Sequence, residues 1–297
     1  MRFANHNDRL TLIEVSAPED LDGARGIDLH EASGGAIPSD PAAALDQWDE
    51  VLSAARSLSS RTGEVAIDRA LLGAPTPRPR QIFGIGINYA DHGAEAGMEA
   101  PEVPLVFTKL GTAVTGPFNA IGLSTESVDW EVEVVIVIGR AASDVPLADA
   151  WDVVAGVTAG QDLSDRDIQW RPQSAPQFGL GKSLRGFAPM GPTIATPDEY
   201  PDPDDIELAC RLNGDEVQRS RSSEMLLSVA ELIVYLSAIT PLLPGDAIFT
   251  GTPSGIGMTR TPPRYLTPGD SLESWVQRAG TMSHTFAAVP AAQQAAG

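Results

Sequence analysis

Val128-Asp129-Trp130-Glu131-Val132-Glu133-Val134-Val135-Ile136-Val137-Ile138-Gly139 is an almost unbroken β-branched run interrupted by two glutamates. β-Branched side chains suit a pleated sheet better than a helical turn, so the run is read as a strand. Successive side chains of a strand point to opposite faces, which places Glu131 and Glu133 together on one face and Val132 and Val134 on the other. A second apolar stretch, Val153 to Ala159, is followed by Asp162, and a neighbouring strand would bring this third acid to the same spot. At ~4 Å and an effective dielectric of about 20, each like-charged pair costs roughly 4 kcal/mol. That is a large part of the ~5–15 kcal/mol by which a domain is stable. Either the two glutamates are the wetted face of an edge strand, or something positive sits between the three carboxylates.

From Gln81 onward the chain is a series of short apolar runs separated by Gly and Pro turns, with few long helices: a mostly β domain with some α (α+β). Asn213-Gly214 between alternating runs, within Ile206 to Ser220, predicts a tight hairpin. Ser228 and Glu231 have capping-box spacing ahead of Ile233, Leu236 and Ile239, and Pro241 ends that helix. Two Pro-Gly-Asp turns, Pro244 to Asp246 and Pro268 to Asp270, introduce strand-like runs over Ala247 to Thr250 and Leu272 to Gln277. The first seventy or so residues read as a small unit with a strand near Leu10 to Val15, a turn at Gly34-Gly35 and one helix. Ser39 or Asp40 caps that helix, Pro41 suits its first turn, and Leu45, Trp48 and Leu52 mark its apolar face. The proline-rich stretch Leu71 to Arg80 reads as an extended linker, giving a small N-terminal domain with its linker over 1–76 and a main domain over 77–297. The Ala- and Gln-rich tail after Ala287 is expected to fray.

A net charge of −20 without any basic tract argues against nucleic acid or an anionic membrane as partner. No apolar stretch approaches the ~20 residues that cross a bilayer, and the N-terminus lacks a signal-peptide core, so a cytoplasmic protein is expected. The single cysteine, Cys210, excludes an internal disulfide and is read as a packing residue. Eighteen of the twenty basic residues are arginine, leaving only Lys109 and Lys182 as lysines. A lysine retained in such a chain points to a site where a compact charge fits and a planar fork does not.

Two glycine clusters fail as nucleotide loops. Gly84-Ile85-Gly86 has Tyr89 where a third glycine belongs, and Gly181-Lys182-Ser183 has Pro176 at the first-glycine position with no helix after it. Gly251 to Gly257 is read as a tight loop that presents the Thr252 hydroxyl and backbone amides. Of four histidines only His92 has chemical company: Glu95, three residues on, shares its face of a helical turn and can orient and charge-stabilise the imidazole. This is the spacing of a proton-transfer pair. Gly84, Gly86, Gly93 and Gly97 around it suit a segment that orders over a substrate as a lid.

Taken in order, G-I-G-I-N-Y-A-D-H-G-A-E, D-W-E-V-E-V-V-I-V-I-G, Q-D-L-S-D-R-D-I-Q, G-L-G-K-S, R-L-N-G-D-E-V-Q and P-G-D-A-I-F-T-G-T-P-S-G-I-G resemble the fumarylacetoacetate hydrolase family over Gln81 to Phe286. The resemblance implies a mixed β-sandwich/β-roll with a small N-terminal domain, and that front unit resembles the family's variable one only loosely. It implies metal ligands at Glu131, Glu133 and Asp162, substrate-holding groups at Lys182, Gln169, Arg166 and Thr252, and a catalytic lid dyad at His92 and Glu95. Three carboxylates without Cys or His form a hard oxygen site suited to Mg²⁺, with Mn²⁺ or Ca²⁺ also compatible. The implied activity is hydrolysis of a carbon–carbon bond in a small anionic 2,4-dioxo acid, with isomerisation, hydration or decarboxylation of a 2-oxo acid as the alternative. A homodimer is implied as well. The remaining rival is a non-catalytic β protein whose carboxylate cluster is a structural calcium site or a ligand sensor. Two departures from the family pattern, Asp165 before the R-D pair and Arg185 after G-K-S-L, are expected to bear on specificity.

Overall fold

The structure is a computed structural model that describes residues 1–288 other than 15, 18, 20 and 60. The tail expected to fray therefore lies almost wholly outside the described residues, as does Val15. Among the described residues the chain forms a mixed sheet of twelve strands, a second sheet of five, a two-stranded ribbon and several helices.

The Val132–Ile138 strand runs through the middle of the large sheet, antiparallel to Val154–Gln161 on one side and to Ala247–Phe249 on the other. It is buried at every position, so the glutamates are not the wetted face of an edge strand. Alternation gives its two faces different partners. Val132, Val134, Ile136 and Ile138 pack with Leu208, Cys210, Leu272, Val276 and Met282 of the five-stranded sheet, which makes the sandwich. On the opposite face Val135 joins a small core with Ile82, Met190 and Phe249. Val137, on the same face, packs into the core of Phe3, Leu45 and Trp48. The acids thus occupy one end of a face whose other end is apolar and holds the N-terminal segment.

That segment enters the large sheet through Arg2–His6, which pairs antiparallel with Ala188–Ala195. Leu72–Gly73, within the proline-rich stretch, also pairs with Arg2–His6. The single helix expected around Leu45, Trp48 and Leu52 is two helices, Pro41–Leu45 and Trp48–Leu58, with the first capped by the Asp40 side chain on the Ala42 N–H. The break at Asp46-Gln47 resets the apolar face. Trp48, Val51, Ala55 and Leu58 are buried, whereas Leu52 is only partly so.

Local signals elsewhere act as their chemistry dictates. Asn213 and Gly214 both have positive φ, 54° and 89°, and join Glu207–Leu212 to Asp215–Arg221; this is the backbone of a two-residue hairpin turn. Ser228 and Glu231 form a complete capping box at the start of Val229–Ile239. In the Pro-Gly-Asp turns, Asp246 accepts from the Leu243 N–H and Asp270 from the Thr267 N–H, which closes each turn before its strand. No helix among the described residues is long and apolar enough to cross a membrane.

Candidate active site

Antiparallel pairing of Val132–Ile138 with Val154–Gln161 sets Glu133 opposite Gly160, and one step further the Asp162 N–H donates to the Glu131 carbonyl at 2.9 Å. The register therefore delivers all three acids to one place. One oxygen from each of Glu131, Glu133 and Asp162 lies within 4.8 Å of the others, and all three residues are buried. This oxygen-only group can hold a divalent cation, and three hard ligands leave coordination positions for a substrate. Asp129, fully buried nearby, brings the carboxylates to four.

Three buried cations answer them. Lys182 Nζ donates to Glu131 Oε2 at 2.7 Å and to Asp162 Oδ2 at 2.5 Å. Lys109 Nζ donates to the other Asp162 oxygen and to the Lys182 carbonyl, and Arg166 donates to both Glu131 and Asp129. Burial opposes ionising Glu131, yet Lys182 and Arg166 outweigh it and hold its pKa down to about 2. Among the described residues no cation touches Glu133. Burial, and then Asp162 and Glu131, push its pKa well above the usual carboxylate range. Burial works against the Lys182 ammonium, but Asp162 and Glu131 raise its pKa; for Lys109 burial prevails and lowers it. Both contacts of Lys109 are acceptors, which keeps it a donor. Four carboxylates against three basic side chains leave one surplus negative charge, and Glu133 is the acid without a cation beside it. A divalent cation held by the three acids would turn that surplus into a net positive charge, a seat for one anionic group.

These residues open onto a cavity lined by His92, Glu131, Arg166, Gln169, Lys182 and Thr252 on its polar side and by Phe107, Trp170, Phe178, Ile256 and Met258 on its apolar side. The space open to water-sized molecules is about 50 Å³, enough for a few waters at roughly 10–15 Å³ each. Gly181 makes this geometry compatible with a lysine next to it. A Cβ there would lie 2.8 Å from Gln169 Cβ and 2.9 Å from its backbone N, so only glycine lets the Phe178–Gly181 turn pack against Arg166–Gln169.

His92 and Glu95 lie on the Ala90–Ala96 helix, with Nδ1 3.7 Å from Glu95 Oε2. Glu95 accepts from the Gly255 N–H at 3.0 Å, and Asp91 accepts from the Ser254 hydroxyl at 2.6 Å, which tie the helix to the glycine loop. Although burial opposes it, the facing His92 imidazole and the hydrogen bond from the Gly255 N–H lower the Glu95 pKa, so the group is an anion beside the imidazole. His92 reaches the cavity wall; Glu95 stands behind it. Thr252 is in the wall too, but its hydroxyl donates to the Val132 carbonyl at 2.9 Å and accepts from Gln218 Nε2 at 2.8 Å. Its proton is committed to the fold, leaving it an acceptor's role toward a ligand.

Asp165 and Arg185 do not line the cavity. Asp165 caps the Arg166–Gln169 turn through the Ile168 N–H at 3.1 Å, a local structural task, and Arg185 is exposed in a separate surface hollow with Arg171. Three residues at the site carry more than the sequence reading gave them: Lys109, whose rarity alone marked it, Asp129 within the D-W-E-V-E run, and Gln218, which braces Thr252. Nothing in the local sequence of Gln218 announces that contact, since it spans 34 residues.

The profile of the fumarylacetoacetate (FAA) hydrolase C-terminal domain matches residues 81–287. The mitochondrial oxaloacetate tautomerase Fahd2a of Rattus norvegicus is 36% identical over 250 residues, 83% of this chain and 79% of the relative. A Mycobacterium smegmatis structure, assigned provisionally as an HpcE protein, has a TM-score of 0.90 at 42% identity and covers 98% of this chain and 100% of that one. Fumarylpyruvate hydrolase from Pseudomonas aeruginosa, solved with Mn²⁺ and pyruvate, has a TM-score of 0.64 at 30% identity over 71% of this chain and 91% of that one. The mitochondrial relative overturns the cytoplasmic expectation. That expectation rested on the lack of a signal-peptide core and of a membrane span, and neither feature distinguishes one aqueous compartment from another.

Proposed function

The chain belongs to the fumarylacetoacetate hydrolase family of enzymes, and we propose that it is a divalent-metal-dependent tautomerase that interconverts the keto and enol forms of a small 2-oxo acid of the oxaloacetate class. The observation that carries this reading is the convergence of His92, Lys182, Arg166 and Gln169 on one cavity beside the three-carboxylate group. The name of the rat relative supports it over the carbon–carbon hydrolysis expected from sequence.

Glu131, Glu133 and Asp162 would hold the cation, with Mg²⁺ proposed as the resident ion. When bound, a divalent cation supplies Lewis acidity toward the 2-oxo oxygen. Lys182 adds a fixed positive charge at the same end, already paid for by its contacts with Glu131 and Asp162, so charge gathering on that oxygen meets a preorganised site. Arg166 and the free amide N–H₂ of Gln169, whose oxygen accepts from Arg166 at 2.8 Å, hold the substrate carboxylate. His92 takes the proton from the carbon next to the oxo group and returns it to the oxygen, while Glu95 stabilises the imidazolium formed between the two transfers. One proton leaves carbon and one arrives on oxygen. No water is consumed.

A second reading keeps one observation in its favour: the His92 and Glu95 pair could equally activate water for cleavage of a 2,4-dioxo acid. The assay follows decay of oxaloacetate enol absorbance with Mg²⁺ or with EDTA, beside cleavage of an acylpyruvate. Tautomerisation that requires the metal and falls at least about a hundredfold in His92→Ala, with oxalate binding retained, is expected. Acylpyruvate cleavage without enol–keto turnover would refute the proposal. We also propose a homodimer. The Leu105–Thr108 strand ends the large sheet with Leu105 and Val106 each 37% exposed, and Leu110 and Leu180 more than half exposed beside it, an apolar edge of the kind proteins cover. Light scattering that gives the 31.3 kDa of a single chain would refute that assignment.

A further inference from the structure

Asp129 stands two residues before Glu131, is fully buried, and does not belong to the three carboxylates that can share a metal. It accepts five hydrogen bonds. Oδ1 takes the N–H of Trp130 at 2.9 Å and of Gly257 at 2.7 Å; Oδ2 takes the N–H of Met258 at 3.0 Å and Arg166 Nε and Nη2 at 3.0 and 2.7 Å. We propose that Asp129 is a positioning residue for the substrate: it fixes the Arg166 fork so that one N–H faces the cavity, and it ties that fork to the loop whose Ile256 and Met258 form the cavity wall. The inference rests on the cavity being the active site.

The donor inventory carries the argument. A guanidinium has five N–H bonds. The Nε–H and one Nη2–H go to Asp129, the other Nη2–H goes to Glu131 at 2.7 Å, and one Nη1–H goes to Gln169 Oε1 at 2.8 Å. A single Nη1–H remains on a side chain that lines the cavity. Glu131 and Gln169 leave the fork freer: each gives Arg166 one contact, Glu131 through a single oxygen because Lys182 holds the other at 2.7 Å, and neither holds the Nε edge. Asp129 grips two donors on one edge and removes that freedom. The loop side is equally constrained. A Cβ at Gly257 would lie 2.6 Å from Asp129 Oδ1 and 1.9 Å from the Arg264 carbonyl, so only glycine lets this amide reach the carboxylate.

The test compares Asp129→Asn, Arg166→Gln and the double variant, each loaded with Mn²⁺, for oxalate affinity by calorimetry, for the kcat and KM of oxaloacetate tautomerisation, and for Tm. Asparagine keeps the shape but cannot accept all five donors. Each single change is expected to weaken oxalate by roughly tenfold to a hundredfold, the worth of one charged hydrogen bond, and to raise KM more than it lowers kcat. The double variant should be no weaker than Arg166→Gln, because Asp129 acts through Arg166. Losses that multiply in the double variant, or wild-type oxalate affinity in Asp129→Asn, overturn the proposal. Wild-type oxalate affinity in Arg166→Gln overturns it as well, and in that case it is the active-site reading that has failed. Should Asp129→Asn not fold, Arg166→Lys replaces it: the charge stays but the fork is gone, so a similar loss of oxalate affinity is expected together with a lower Tm, and wild-type affinity there overturns the proposal.

Discussion

Lys109→Met tests the charge accounting at the site directly. Lys109 is 3% exposed and its Nζ serves two buried acceptors, one Asp162 oxygen and the Lys182 carbonyl. Methionine fills similar volume without donors. Removing one partner of a buried ion pair costs about 3–5 kcal/mol, and a buried carbonyl left without a donor costs about 1–3 kcal/mol. Asp162 keeps Lys182 on its other oxygen, at 2.5 Å, so the low end of the first range applies. A loss of about 4 kcal/mol follows in metal-free protein, equivalent to a Tm drop of roughly 8 °C at the ~2 °C per kcal/mol that suits a chain of 297 residues. With two cations left for four carboxylates, added Mg²⁺ or Mn²⁺ neutralises the excess that Lys109 had matched. The variant's Tm should therefore recover more with metal than the wild type's does. Denaturant titration and calorimetry, each with EDTA and with saturating Mn²⁺, measure both quantities. A metal-free loss under about 1 kcal/mol, or equal metal-induced gains in the two proteins, would refute the reasoning.

Glu131→Gln and Asp162→Asn each remove one charge from the three-acid group and should abolish Mn²⁺ binding in calorimetry while circular dichroism shows the fold retained. Lys182→Arg keeps the charge but cannot place a guanidinium within 2.5–2.7 Å of both Asp162 and Glu131 in the same space; most turnover should be lost, and wild-type kcat/KM would refute the role given to a compact ammonium. His284 is 1% exposed, has one ring nitrogen 3.0 Å from the Asn119 carbonyl, and has the other, Nε2, buried without a hydrogen-bond partner among the described residues. Burial lowers its pKa from 6.5 to about 4. The unfolded chain then takes up the proton first, so the stability this group contributes is present above pH 6.5 and is lost as pH falls toward 4, by roughly 3 kcal/mol in all. Denaturant titrations across that window should show a shallower fall in His284→Asn than in the wild type, and identical slopes would contradict the assignment.

Local chemistry was legible wherever one residue's neighbours in sequence are also its neighbours in space. The Asn213-Gly214 hairpin, the Ser228 and Glu231 capping box and the two Pro-Gly-Asp turns are all settled within about four residues, and alternation alone put Glu131 and Glu133 on one face. The same alternation could not say whether that face is wet or buried. The N-terminal helix shows the limit from the other side: periodicity through Leu45, Trp48 and Leu52 is real in the sequence, but packing on Phe3 and Val137 selects Trp48, Val51, Ala55 and Leu58 and breaks the helix before them.

By itself the sequence put Glu131 and Glu133 on one face with Asp162 in reach of a neighbouring strand, left open whether water or a cation meets them, and marked two rare lysines and the spacing of His92 and Glu95 as candidates. Only the tertiary structure decided where the charges go. Lys182 bridges Glu131 and Asp162, Lys109 takes the remaining Asp162 oxygen from 53 residues away, Arg166 divides its fork between Asp129 and Glu131, and Glu133 is left with no cation in contact among the described residues. The reason is physical. A like-charge conflict can be read from spacing because strand geometry is local, but its resolution depends on sheet register and burial, which fix distances and dielectric between residues that the chain itself holds far apart.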